Sequence, residues 1–317
     1  MRVLIIGHGQ LGSAVARQLP VGVASRVNVP WQDPDAATSA LRSAVGRFVS
    51  AGPGDALGFC WAAGSGVVGT PDEELRRERT YLRAVLDELD RTASGTIPLR
   101  FFLASSAGGV YAGVDGLADE RTEPVATSAY GHNKLAQERI VSDWAARSGG
   151  SVLIGRISNL YGPRQNLSKP QGFISHLLVA MIGRREFTLK VPAHTIRDFL
   201  FTDDVARRIA SWLSGPGGDA GVATKVLASG RSTNLAWVAK TAARVTRLPT
   251  KVLFAQPHAS VEQPTVLRFV SRELVRLDEE HPARTLESGL RDTWQAVLRR
   301  QSARTGDVLA GTHTPFV

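Results

Sequence analysis

Tyr130 and Lys134 stand four residues apart in SAYGHNKLAQERI, Ser128 to Ile140, a segment that continues to Trp144 with Leu135, Ile140 and Trp144 at helical spacing. On a helix that interval places both side chains on one face. An ammonium beside a phenol favours the phenolate, so a partly desolvated pair can exchange a proton with a substrate. Upstream, the apolar run FFLASS ends in Ser105 and Ser106. A strand end feeding a loop is where an open α/β sheet places its chemistry. A proton donor and a second hydroxyl together polarise a carbonyl, which suits hydride transfer to or from a secondary alcohol. Tyr-x-x-x-Lys alone is common on solvated helix faces, so this reading depends on the elements around it.

The first of those elements is RVLII, which breaks at GHGQLG and resumes as SAVARQL with helical spacing. Strand, glycine turn and helix form the context that a dinucleotide fingerprint requires. Gly7 allows the tight turn, Gly9 lets a pyrophosphate approach the backbone, and Gly12 allows helix to pack on strand. The helix start, at Gln10 and Leu11, offers free N–H groups and a positive dipole end to the phosphates. The next strand is expected over Pro20–Ser25. Where an acid would bind the ribose hydroxyls of NAD, the chain has Ser25 and Arg26. A guanidinium pairs bidentately with a 2′-phosphate, so NADP is favoured over NAD.

VNVPWQDPD follows so closely that little room remains for a helix between a second and a third strand, and Trp31 and Asp33 are candidates to border an adenine. Residues 35–50 read as an amphipathic helix ended by AGPGD. ALGFCWAAG is a buried strand closing on Ala62, Ala63 and Gly64, small residues that let a cofactor lie against the backbone. A helix over Leu75–Leu89, the FFLASS strand, the Tyr130 helix and the strand in SVLIGRISNLYGP complete the first half. This alternation specifies a parallel sheet with helices on both faces. Further on, Arg197–Val205 reads as a short strand and Ser214–Gly221 as a flexible surface loop. Leu286–Leu298 reads as a closing helix, and the tail from Gln301 as frayed.

The bounds from composition agree. With 317 residues, 43% of them hydrophobic, the chain can bury a large core. Its one cysteine, Cys60, lies in an apolar run and excludes an internal disulfide and a cysteine-cluster metal site. No apolar segment reaches the roughly 20 residues that span a bilayer, and Met1 leads directly into a strand; the expectation is a cytoplasmic protein outside the membrane. The formal charge of +9 suits an anionic ligand. Basic residues are dispersed, with pairs at Arg184–Arg185, Arg207–Arg208 and Arg299–Arg300 and no basic-aromatic pattern, so nucleic acid is not the expected partner.

Taken in order, these segments resemble the extended short-chain dehydrogenase/reductase superfamily, in its NAD-dependent epimerase/dehydratase branch that modifies nucleotide sugars. The likeness runs over about residues 1–300: GHGQLG, WAAG, SSAGGVY, Tyr130 with Lys134, RISNLYGP, RDFLFTDDVA and TLESGLRDTW each match a motif of that branch. The resemblance implies a Rossmann-type doubly wound sheet over residues 1–165 and about 195–230, and a smaller substrate lobe over about 166–194 and 231–300. A tail, 301–317, follows. It makes Tyr130 the proton donor or acceptor, with Lys134 holding the nicotinamide ribose. Ser106, or else Ser105, bonds the reacting oxygen. Asn159 contacts the substrate, and Arg197 or Arg268 meets its phosphates. A homodimer is the assembly it allows.

Three departures bear on activity. The glycine motif has one residue fewer than usual between its first two glycines. Ala107 occupies the position four before Tyr111 where many relatives carry the catalytic hydroxyl. Gly108 and Gly109 replace the acidic pair of sugar 4,6-dehydratases, which leaves dehydration the least supported activity. The implied reaction is hydride transfer at a ring carbon, C4, of a nucleotide-linked sugar, as a 4-ketoreductase or a 4-epimerase. The contrasting reading is a non-catalytic nucleotide sensor or scaffold of the same fold, which would need the glycine turn but not Ser106, Tyr130 and Lys134.

Overall fold

The computed structural model describes residues 1–52, 54–93, 98–167, 171–215, 220–254 and 264–310. The chain begins with β1 (Arg2–Ile6), α1 (Gln10–Gln18), β2 (Ala24–Arg26), α2 (Pro34–Ser50), β3 (Leu57–Trp61) and α3 (Asp72–Thr92). It continues through β4 (Leu99–Ser106), the short α4 (Ala107–Val110), β5 (Leu117–Ala118), α5 (Ala129–Ser148), β6 (Ser151–Ile157) and β7 (Asn159–Tyr161). Then follow α6 (Phe173–Ile182), β8 (Phe187–Leu189), β9 (Ile196–Phe201), α7 (Thr202–Ser214) and β10 (Gly221–Leu227). The last elements are β11 (Ser232–Asn234), α8 (Leu235–Thr246), β12 (Val252–Phe254), β13 (Arg268–Phe269), α9 (Val275–Glu280) and α10 (Leu286–Ala310).

Six strands form one sheet in the order β10-β6-β4-β3-β1-β2, and every neighbouring pair is parallel. Parallel strands are covered on both faces, which is why LGFCW is buried throughout instead of alternating. On one face α2, α3 and α5 supply Leu41, Val45, Leu82, Val85, Val141 and Trp144. On the other, α1 and α7 supply Leu11, Val15, Val205 and Ile209. From β1 the chain runs outward to β2 and then returns past β1 to β3, so strand order reverses between β1 and β3. Ligands of such sheets bind outside the carboxyl ends of the strands at that switch.

A second core joins α6, α8 and α10 through Leu177, Leu178, Met181, Val238, Ala242 and Leu290. Small sheets β11-β9-β7, β12-β8 and β13-β5 lie outside the main one. Among the described residues no helix is long and apolar enough to cross a membrane.

The structure revises several expected boundaries. The second strand is Ala24–Arg26, not Pro20–Ser25, because Val23 N bonds Pro20 O in a turn with Gly22 at φ +84. Arg26 therefore belongs to the strand. Val27–Pro30 adds no third strand; Val27 and Val29 instead fill the core as loop residues. The Arg197–Val205 strand stops at Phe201, because Thr202 opens α7 with Asp203 and Asp204 in its positive first turn. The closing helix runs past Gln301 to Ala310, through a stretch without proline; residues 311–317 of the expected tail lie outside the described residues. So do residues 216–219 of the expected Ser214–Gly221 loop.

Candidate active site

The glycine turn has the backbone that its residues require. Gly7 sits at φ +101, and a side chain there would meet the backbone of Ala62 and Ala63 at 2.5–2.6 Å, so glycine at this point lets β1 and β3 close together. A side chain on Gly12 would run into the carbonyl of Gly7. Gly9 caps α1 and has open space where a side chain would be, which leaves room for an anion against its backbone. Leu11, next along, is core. The shortened spacing between Gly7 and Gly9 is thus accommodated. Ser13 Oγ donates to His8 O at 3.0 Å, and Gln10 Nε2 donates to Gly162 O at 3.3 Å, tying the turn to the loop after β7. Beside it opens a cavity of about 630 Å³ lined by His8, Gly9, Gln10, Arg164 and Arg300 among others. Its size and its cations fit the diphosphate of a dinucleotide.

Ser25 and Arg26 are exposed at the end of β2, outside this cavity. The His8 imidazole, though exposed, is held below its ordinary range first by partial desolvation and then by the charge of Arg26. Asp33 caps α2 by accepting from Asp35 and Ala36 N, and Trp31 packs its ring 5.6 Å from that of Tyr81.

Tyr130 and Lys134 lie on the first turns of α5, which Ser128 caps by accepting from Gly131 N. The Lys134 ammonium is buried, 5.9 Å from the centre of the Tyr130 ring, and donates to Ala104 O at 3.2 Å and Gln137 Oε1 at 3.1 Å. Ser106 ends β4 and caps α4, its Oγ accepting from Gly109 N at 3.1 Å, which leaves the hydroxyl hydrogen to donate. A side chain added to Gly109 would lie 3.0 Å from Tyr130 Cε1 and 3.4 Å from Ser106 Oγ. Tyrosine and serine thus converge over one glycine, and the bareness of Gly109 admits the ring. Of the two glycines, Gly109 thus has a packing role, while a side chain on Gly108 would make only ordinary contact with Leu267.

Ser105 alternates away from Ser106 on β4, and its hydroxyl is spent donating to Glu138 Oε1 at 2.5 Å. Glu138 is paired in turn with Arg156 at 2.7 Å, and Arg156 donates to Tyr111 Oη at 2.5 Å. Asn159, on β7, donates to Asp198 O at 3.0 Å. Arg197 is buried on β9, its Nη1 donating, among the described residues, to the carbonyls of Ile196 (2.8 Å) and Thr265 (3.4 Å). Burial pushes its pKa down to about 10. Arg268 is exposed at the start of β13.

The sequence reading missed the polar residues behind the tyrosine-lysine pair. Glu78 on α3 is buried; its Oε1 accepts from Ser65 and Gly66 N at 2.8 and 2.9 Å, and its Oε2 from Asn133 Nδ2 and Gln137 Nε2 at 3.2 Å each. The one available signal was an interval: Asn133, Lys134, Gln137 and Glu138 recur at helical spacing on the face that Val141 and Trp144 mark as buried.

Comparison with known proteins places the chain and its fold. Over 96 residues, 30% of this chain, the sequence is 35% identical to the dTDP-L-rhamnose 4-epimerase of Burkholderia thailandensis, and the aligned stretch spans only 26% of that relative's length. The fold superposes on the UDP-glucose 4-epimerase of Thermotoga maritima with a TM-score of 0.78 at 19% identity, covering 95% of this chain and 100% of the other. It superposes on a Pseudomonas aeruginosa protein, RMD, solved with NADPH, with a TM-score of 0.72 at 20% identity over 94% and 99% of the two chains. Residues 3–220, more than half of the sequence, match the NAD dependent epimerase/dehydratase family, and the chain belongs to that family.

Proposed function

We propose that this protein catalyses hydride transfer at C4 of a nucleoside-diphosphate sugar, with a nicotinamide dinucleotide held at the Gly7–Gly12 turn and along Ala62–Gly64. The observation that carries the reading is the convergence of Tyr130 and Ser106 over Gly109 with the Lys134 ammonium beside the ring. The dinucleotide, when bound, supplies and receives the hydride. Tyr130 Oη takes the proton of the C4 hydroxyl as the carbonyl forms and returns it on reduction. Ser106 donates to the same oxygen, and the Lys134 ammonium holds the ribose hydroxyls while favouring the phenolate. Arg197, a buried cation without a carboxylate partner among the described residues, supports an assignment to the sugar nucleotide's diphosphate. Asn159, at the neighbouring strand β7, is assigned to the substrate with it.

Epimerisation at C4 is the first reading, in keeping with the rhamnose and glucose epimerases that the chain resembles. The second is 4-ketoreduction with NADP, favoured by Arg26 on the strand that addresses the adenosine ribose. Incubation with a panel of UDP- and dTDP-sugars separates the two. An epimerase interconverts 4-epimers without net use of cofactor, whereas a reductase consumes NADPH stoichiometrically with a 4-keto sugar. Tyr130→Phe should lower either turnover by about 10²–10⁴. A folded Tyr130→Phe protein with wild-type turnover would sink the assignment of the proton transfer to Tyr130, whereas a wild-type protein that binds dinucleotide and turns over no sugar of the panel would restore the non-catalytic reading.

A further inference from the structure

We propose that Glu78 is a positioning residue for Lys134, acting through Gln137 to decide which end of an amide faces the ammonium. The inference rests on the reading of Lys134 as the residue that holds the nicotinamide ribose. An ammonium can only donate hydrogen bonds and a carboxylate can only accept them. The Gln137 amide lies between the two, its Nε2 donating to Glu78 Oε2 at 3.2 Å and its Oε1 accepting from Lys134 Nζ at 3.1 Å. Turned over, the amide would set its NH2 against the ammonium and its oxygen against the carboxylate, losing both bonds. Glu78 therefore selects the orientation that gives Lys134 an acceptor in addition to Ala104 O. Asn133 is fixed in the same manner: Arg79 Nη1 donates to its Oδ1 at 2.5 Å, which leaves its Nδ2 to Glu78. The other carboxylate oxygen holds Ser65 and Gly66 N, in the loop that begins with the cofactor-facing Ala62–Gly64. One side chain on α3 thus sets both the lysine and the loop between which the dinucleotide lies.

Glu78→Gln reverses the orientation and also removes the carboxylate's charge, so Gln137→Leu, which keeps that charge, is the control that separates the two. The glutamine has nearly the same volume and can still accept from the 65–66 loop, but it presents an NH2 to Gln137. Gln137 must then turn over and face Lys134 with its own NH2. Glu78→Gln combined with Gln137→Glu returns an acceptor to position 137, to which both the new amide at position 78 and the Lys134 ammonium can donate. The recovery is incomplete because Asn133 still turns its NH2 toward residue 78.

The test is fluorescence titration of the purified variants with NADH and NADPH. Lys134→Met and Glu78→Gln should each weaken the better-bound dinucleotide about tenfold, and the double variant should bind it at least about threefold more tightly than Glu78→Gln. A purely structural role for Glu78 predicts no such rescue, since the second change would add its own damage. Wild-type affinity in Glu78→Gln beside weakened Lys134→Met overturns the inference alone, as does a double variant no better than the single. Wild-type affinity in Lys134→Met overturns the reading of the lysine and this inference with it. Should Glu78→Gln fail to fold, Gln137→Leu, which leaves Glu78 on the 65–66 loop, must show the tenfold loss. Wild-type affinity in that variant overturns the proposal.

Discussion

Arg156 on β6 and Arg197 on β9 are each 8% exposed, yet their surroundings differ. Arg156 meets Glu138 with two nitrogens and also donates to Tyr111 Oη. Burial would push its pKa down, but the hydrogen bonds and charge of Glu138 carry it above the ordinary arginine range. Among the described residues Arg197 has carbonyl partners and no carboxylate, and burial lowers it to about 10. A buried ion that is paired belongs to the fold. A buried cation without an anion costs stability that a ligand's phosphate can return. On the proposed function, the contrast marks Arg156 as scaffold and Arg197 as the candidate for binding, which their equal exposure does not.

Breaking the paired arginine should have the larger effect. Arg156→Met leaves Glu138 buried without its cation, and with it the anchor for Ser105, one residue from Ser106. The loss should be about 3–5 kcal/mol of stability, read from the midpoint of urea unfolding at constant slope. A variant that unfolds at the wild-type midpoint would show that the pair contributes nothing net. Removing the unpaired arginine should act in the other direction on the fold. Arg197→Met relieves an uncompensated buried charge, so stability should hold or rise, while affinity for UDP or dTDP, measured by calorimetry, should fall by about 1.5–3 kcal/mol. If Arg197→Met loses stability and keeps nucleotide affinity, the cation is scaffold and the comparison collapses.

The same contrast explains what the sequence made legible. Gly7, Gly9 and Gly12, the hydroxyl at Ser106 and the Tyr130–Lys134 interval are local patterns: turn, strand end and helix face follow from neighbours within a few residues. The alternation of apolar runs likewise announced the parallel sheet and its two faces. The residues of other elements that hold Asn133, Gln137 and Glu138 were not legible in that way. Glu78 lies 55 residues from Asn133 and 59 from Gln137, and Ser105 lies 33 from Glu138, so the packing of α3 and β4 on α5 creates these contacts. Ser105 and Ser106 are indistinguishable by type; strand alternation, read with the partner each meets, ties Ser105 to Glu138 and leaves Ser106 beside Gly109, as the proposed function requires. The misplaced second strand has a local cause too, since Val21 and Val23 mimic a strand while Gly22 turns the chain.

A third arginine, Arg26, marks the exposed end of the comparison and should give the smallest effect. It has no carboxylate within ion-pair distance among the described residues, and solvent screens its charge. If it reads a 2′-phosphate, Arg26→Ala should weaken NADPH about fivefold, near 1 kcal/mol, and leave NADH unchanged in the same titration. Equal effects on the two cofactors would make it a surface residue. A second readout follows from His8, whose pKa lies below its ordinary value first through partial desolvation and then through Arg26. Removing the arginine deletes only the second cause, so the imidazole midpoint, followed by NMR, should move upward but stay below 6.5, the value of an unperturbed histidine. Phosphates bound at the turn act with the opposite sign to Arg26: they favour the imidazolium, so dinucleotide binding takes up a proton. Affinity should therefore increase as pH falls through the lowered His8 midpoint, more at low ionic strength than at high. A dinucleotide affinity that is flat across that window would place His8, and the charge of Arg26 with it, away from the phosphates.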